Sequence, residues 1–180
     1  MVIKNGDVLA FSGKWFFSKL IQFWTKDKIS HVGLAIWISI EGTDILCVLE
    51  AMEGKGVRIV PLSSYFLGKK PPDIYWCPIN ENQIDRQKVI AFALKNWNRE
   101  YANIYQFILF MSPRLQWLRR LLGKSLDTDY ERWHCSELIT NALVEGGYPC
   151  DKVPALVSPG DVSRFSCLMC RGPISRDLCR

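Results

Sequence analysis

Two histidines and seven cysteines bound the nucleophilic chemistry open to this 180-residue sequence. Cys135 opens the run CSELITNALVEGG, in which Leu138, Ile139, Ala142 and Leu143 form an apolar stripe at helical spacing and Gly146 and Gly147 supply a left-handed stop. Cys135 is thereby expected in the first turn of a helix. Unpaired amide protons and the positive end of the helix dipole favour an anion there, and the same amides can hold an oxyanion as it forms. The chemistry implied is attack by a thiolate.

Such a nucleophile needs a proton shuttle. His134 adjoins Cys135, but neighbouring side chains at a helix start diverge by about 100° and do not face each other. His31 begins the alternating run SHVGLAIWISI, where a strand can aim the ring and the small Gly33 and Ala35 leave space beside it. His31 is therefore favoured as the base. A carboxylate on the next strand can hold the imidazole tautomer. With a turn centred near Gly42 and Thr43, residues whose numbers sum to an odd value pair across the hairpin, so Glu50 shares a face with His31 and Glu53 does not. The same residues also fit a chain in which Cys135 is inert, His31 is a satisfied core histidine and Glu50 pairs with a lysine. Spacing alone does not separate these readings.

The elements that must position these groups follow from periodicity and turn chemistry. SHVGLAIWISI (30–40), ILCVLEAM (45–52) and VRIVPL (57–62), separated by EGTD and EGKG, predict an antiparallel meander. NQIDRQKVIAFALKNWN (82–98) predicts a helix that buries Ile84, Val89, Ala91, Phe92 and Leu94. KWFFSKLIQFWT (14–25) predicts another, with Phe16, Leu20, Phe23 and Trp24 on one broad face that either packs into the core or walls a substrate groove. The stretch 101–124 predicts helix in two pieces, broken at Pro113.

Composition removes several function classes. At 48% hydrophobic residues the chain is long enough to bury a core without disulfides and reads as one α+β domain over 1–180. The odd cysteine count and irregular spacing predict unpaired thiols in a reducing compartment, and the N-terminus carries no secretory pattern, so a cytoplasmic location is expected. No run approaches the roughly eighteen apolar residues of a membrane span. The net charge of +5 is modest and scattered, which excludes a nucleic-acid footprint. RLQWLRRLLGK, with Leu115, Trp117 and Leu118 beside Arg119 and Arg120, suits either core packing or a peripheral contact with an anionic lipid surface. CLMC (167–170), with Cys150 and Cys179, has one pair at zinc-ligand spacing and no second pair to complete a site, so neither a metal nor another cofactor is expected.

The ordered set GDVLAF, SHVGLAI, VLEAMEGKGV, HCSEL and SPGDV resembles the circularly permuted branch of the NlpC-type, papain-like cysteine hydrolases, close to the bacterial YiiX-like proteins, from Gly6 to about Val162. The order is the informative part, because in this branch the histidine strand precedes the cysteine helix. The resemblance implies an antiparallel sheet packed against helices, Cys135 as nucleophile, His31 as general base and Glu50 as orienting residue. It also implies a tyrosine that assists the oxyanion, matched to Tyr101 in REYAN with Tyr105 as competitor; Ala102 stands where the family has Asp. SPGDV matches a closing loop, read as structural, with Asp161 as a cap for the next element. The activity implied is thiol-dependent hydrolysis of a peptide-like or acylated small molecule through an acyl-enzyme. The alternatives are lipid-directed acyl hydrolysis or transfer, as in the related lecithin:retinol acyltransferase branch, and a non-catalytic binding module.

Overall fold

The computed structural model describes residues 2–101 and 132–174. A five-stranded antiparallel sheet runs in the order β4-β3-β2-β1-β5, built from β1 (Val8–Ser12), β2 (His31–Ile40), β3 (Thr43–Met52), β4 (Gly56–Pro61) and β5 (Asp73–Cys77). The predicted meander is β2-β3-β4. Its first turn is tighter than expected: Ile40 pairs with Thr43, and Glu41 and Gly42 both take positive φ, the two-residue hairpin geometry that suits the twist of paired strands. β1 and β5 extend the sheet on the other side of β2. Neither was expected, because β1 is buried on both faces and lacks the alternation that marks a half-buried strand.

Side-chain parity then divides the apolar residues between two cores. Val8, Val32, Leu34 and Leu49 face the helices, while Leu9, Phe11, Ala35 and Val48 pack beneath Leu62 and Trp76 on the opposite side. Among the described residues the first face is covered mainly by α2 (Arg86–Lys95) and α3 (Cys135–Glu145). α2 is shorter than its periodicity suggested, because Asp85 caps it by accepting from the amides of Gln87 and Lys88 at 3.0 and 3.3 Å. That start buries Val89 and Ala93 and leaves Ala91 and Leu94 exposed. α3 ends as expected at Gly146 and Gly147, although only Gly147 has positive φ. Gly146 serves packing instead, since a Cβ there would lie 2.6 Å from Val89 Cγ2. A last helix, α4 (Pro159–Ser163), begins with a capping box in which Asp161 accepts from the amide and hydroxyl of Ser158.

Two further findings depart from the sequence expectations. Helix α1 (Phe16–Thr25) buries none of its residues, so core packing is not its role. A disulfide joins Cys77 to Cys170, where unpaired thiols were expected. Spacing carries no sign of it, because the bond depends on the C-terminal segment returning along β5, where the amides of Met169 and Arg171 donate to the carbonyls of Pro78 and Trp76 and set Cys170 beside Cys77. The CLMC pair is thereby split, and Cys167 is a free buried thiol that burial pushes up to about 11. β6 (Glu100–Tyr101) and β7 (Arg132–Trp133) form a short parallel pair. The segment carrying Leu115 to Arg120, together with Tyr105 and Cys179, lies outside the described residues. No described helix is long and apolar enough to cross a membrane.

Candidate active site

His31 stands at the start of β2, with Phe11 opposite on β1 and the ring centroids 5.4 Å apart. Its Nε2 lies 2.5 Å from Glu50 Oε2. The register that pairs Leu34 with Leu49 puts Gly33 opposite Glu50, so the His31–Glu50 contact is diagonal on a shared face. Gly33 makes that diagonal open: a Cβ there would sit 3.3 Å from Glu50 Cβ and 2.5 Å from Val48 Cγ1.

Glu50 is wholly buried, and such a carboxylate must be paired to stay ionised. Arg58, directly opposite on β4, donates from Nε and Nη2 to Oε1 at 3.0 and 2.8 Å, and the Tyr65 hydroxyl donates to Oε2. Burial works to raise the Glu50 carboxyl, but the charge of His31 and hydrogen bonds from His31, Tyr65 and Arg58 outweigh it and hold the group at about 2. Burial and the Glu50 charge push the Tyr65 phenol well above its usual range, so it remains a donor. Sequence reasoning missed Arg58 and Tyr65. Arg58 had a signal, as the lone charge in an otherwise apolar strand; Tyr65 had none, because it sits on a short helical turn (Leu62–Phe66) between β4 and β5.

Cys135 is the first residue of α3, with His134 at the N-cap, and it is 5% exposed. Its side chain shares a cavity lining with His31. Glu50 engages Nε2, so Nδ1 is the ring nitrogen that does not face the carboxylate. Burial alone pushes the His31 imidazole down, but the opposite charges and hydrogen bonds of Cys135 and Glu50 carry it up to about 10. His134 behaves differently: burial drives its ring down to about 4, and its amide donates to Glu137 at 3.5 Å. His31 thus contacts Glu50 and lines one cavity together with Cys135. Tyr101 ends β6, and its side chain lies outside the described residues.

The cavity, of about 370 Å³, has Cys135 and His31 on one wall and Phe11, Trp15, Phe17 and Ile21 on others. Its walls are mostly apolar. Among the described residues no group of three or more His, Cys, Asp or Glu side chains is placed to hold a metal ion.

A family model described as the permuted papain-like amidase enzymes, YaeF/YiiX, C92 family, matches residues 2–108. The chain belongs to this family. The matched part of this permuted papain-like amidase contains His31 and Glu50, and Cys135 lies C-terminal to it. The fold is also that of a crystal structure titled metalloprotein yiiX from Escherichia coli O157:H7, at 16% identity and a TM-score of 0.61, with 97% of this chain and 99% of that chain covered. No curated protein matches the sequence. The permuted order is visible in the elements themselves: the histidine strand β2 precedes the cysteine helix α3.

Proposed function

We propose that this permuted papain-like amidase is a thiol hydrolase in which Cys135 is the nucleophile, His31 the general acid and base, and Glu50 the residue that orients His31. The observation that supports the reading is His31, 2.5 Å from a buried, ionised carboxylate and in the lining of one cavity with the cysteine that opens α3. An ion pair buried this deeply has no evident structural use at a strand end beside an open cavity.

In the reaction the proton of the Cys135–His31 pair already rests on the imidazole, and the sulfur forms a bond to the substrate carbonyl carbon as the carbonyl electrons move to oxygen. The oxyanion is held by amides of the first turn of α3, which a helix leaves without internal partners. When the tetrahedral species collapses, the carbon–nitrogen bond breaks and the leaving amine takes the proton from His31. Water then attacks the thioester, gives a proton to His31 and releases the acid as the sulfur leaves. Glu50 stays ionised throughout and keeps Nδ1 turned toward the sulfur.

The apolar cavity favours substrates whose acyl part is itself apolar, so ester bonds of acylated small molecules form a second reading on the same residues. The test is labelling by a thiol-reactive acyl probe, then mass spectrometry of the modified peptide. Wild type should acquire the acyl group on Cys135, and Cys135→Ala should not. Equal labelling of the two proteins overturns the reading.

A further inference from the structure

Helix α1 is mounted inside out. A surface helix of a globular protein ordinarily turns its apolar stripe to the core. In α1 the polar stripe is the docked one: Gln22 Nε2 donates to the carbonyls of Gly13 and Lys28 at 3.0 and 2.7 Å, and Ser18 fills the space that a Cβ on Gly13 would need. The opposite arc carries Phe16, Phe17, Leu20, Phe23 and Trp24, and Phe16 and Phe23 are each 75% exposed. An apolar surface this continuous, rimmed by charge, marks an interaction site.

The charge beside it is mostly positive, with Glu53 the acid at the cavity mouth. α1 contains no Asp or Glu; Lys19 borders the apolar arc one turn before Phe23, and Lys26 is the exposed left-handed cap at its C-terminus. Lys69 and Lys70 are exposed in the loop that meets α1 across the cavity mouth. None of these four lysines has an acidic partner among the described residues. Two of the neighbouring acids are already engaged, Asp27 by Arg164 and Asp73 by Lys14.

We propose that α1 is an interfacial docking helix that lays its aromatic face into the surface of an anionic lipid bilayer. Trp and Phe side chains enter the boundary between headgroup and acyl chain, while Lys19 and Lys26 reach back to the headgroups, the arrangement that binds amphipathic helices in the plane of a membrane. Charge complementarity decides the occupant. A second copy of this chain would bring the same lysines together around an apolar contact, and an anionic headgroup layer would neutralise them. Trp15, Phe17 and Ile21 belong both to this helical segment and to the cavity wall, so docking would present the mouth of the Cys135 cavity to the bilayer.

Docking through α1 does not require Cys135 to be reactive, and its test uses the full chain as wild type and as Cys135→Ala. Both should float with phosphatidylcholine vesicles containing phosphatidylserine, less with pure phosphatidylcholine, and less as salt rises. Phe16→Ser with Phe23→Ser should lower the bound fraction about tenfold, as should Lys19→Glu with Lys26→Glu. These exposed positions leave the core intact, so unchanged circular dichroism and unchanged probe labelling in free solution should accompany the loss. Absence of flotation at low salt overturns the proposal, and so does flotation that the Phe16, Phe23 variant retains. A dimer that this variant abolishes, without vesicle binding, would give the face to a second copy.

Discussion

At pH 7 the two histidines should carry different charges, because identical rings have opposite surroundings. His31, between Cys135 and Glu50, is held up to about 10, whereas the buried His134 ring is pushed down to about 4. Nitrogen-15 NMR of the imidazoles should therefore show one charged and one neutral ring at neutral pH, and Cys135→Ala should bring the His31 transition down toward its ordinary value. A His31 ring that titrates near 6.5 in the intact protein would contradict its pairing with Cys135 and Glu50. The linkage to stability has a definite sign for each group. His31 has a raised folded pKa, so its contribution is fully present below about 6.5 and is lost as pH rises through about 10. Glu50 has a depressed folded pKa, so its contribution is present above 4.5 and disappears as pH falls through about 2. Glu50→Gln removes that carboxylate and leaves the Arg58 guanidinium without its counter-charge. We expect a loss of about 3 kcal/mol in urea unfolding and a fall of about a hundredfold or more in acyl-probe labelling. Unchanged labelling would leave Glu50 with a structural role only.

Strands deliver these side chains, and the hairpin β2-β3 illustrates what sequence can and cannot say about delivery. The parity that set Glu50 and His31 on one face holds in the structure, since the ladder pairs residues whose numbers sum to an odd value, and side-chain alternation admits no intermediate outcome. Parity left open how far apart the two would be. That distance depends on a turn of two residues and on Gly33, whose missing side chain lets β3 approach. Gly33→Ala would place a Cβ 2.5 Å from Val48 Cγ1 and 3.0 Å from the Leu49 carbonyl. The carbonyl belongs to the ladder and has little room to yield, so β3 must move and carry Glu50 with it. A cost of about 1–3 kcal/mol is expected from overpacking, and labelling of Cys135 should fall with it; a variant as stable and as reactive as wild type would mean that the strands accommodate a methyl group. Helix α3 was legible from its apolar stripe and its glycines. The orientation of α1 was not, because amphipathic periodicity identifies an apolar face without saying whether the core or the solvent receives it. Only the Gln22 hydrogen bonds, made to residues nine and six positions away, decide that point.

Across the whole molecule, the site and the covalent closure of the chain occupy different places. The disulfide ties Cys77 at the end of β5 to Cys170, a separation of 93 residues, and neither cysteine borders the cavity of Cys135 and His31. Between the two cysteines lie α2, α3 and α4, so the bond closes a loop that contains most of the helical layer packed on the sheet. A loop of that length restricts the unfolded chain far more than the folded one, and the chain-entropy argument puts the stabilisation at up to about 4 to 5 kcal/mol. Placement of Cys135 beside His31 is set locally, by the start of α3 against β2 and by the Glu50 network, and does not run through β5. Reduction, or Cys170→Ser, should therefore lower the denaturation midpoint while leaving the rate of Cys135 labelling under native conditions within about twofold of wild type. Peptide mapping without reductant checks the premise by recovering the peptides of Cys77 and Cys170 as one linked species. A labelling rate that collapses on reduction while circular dichroism stays native would show that the C-terminal segment, held along β5, positions the catalytic face from the far side of the sheet.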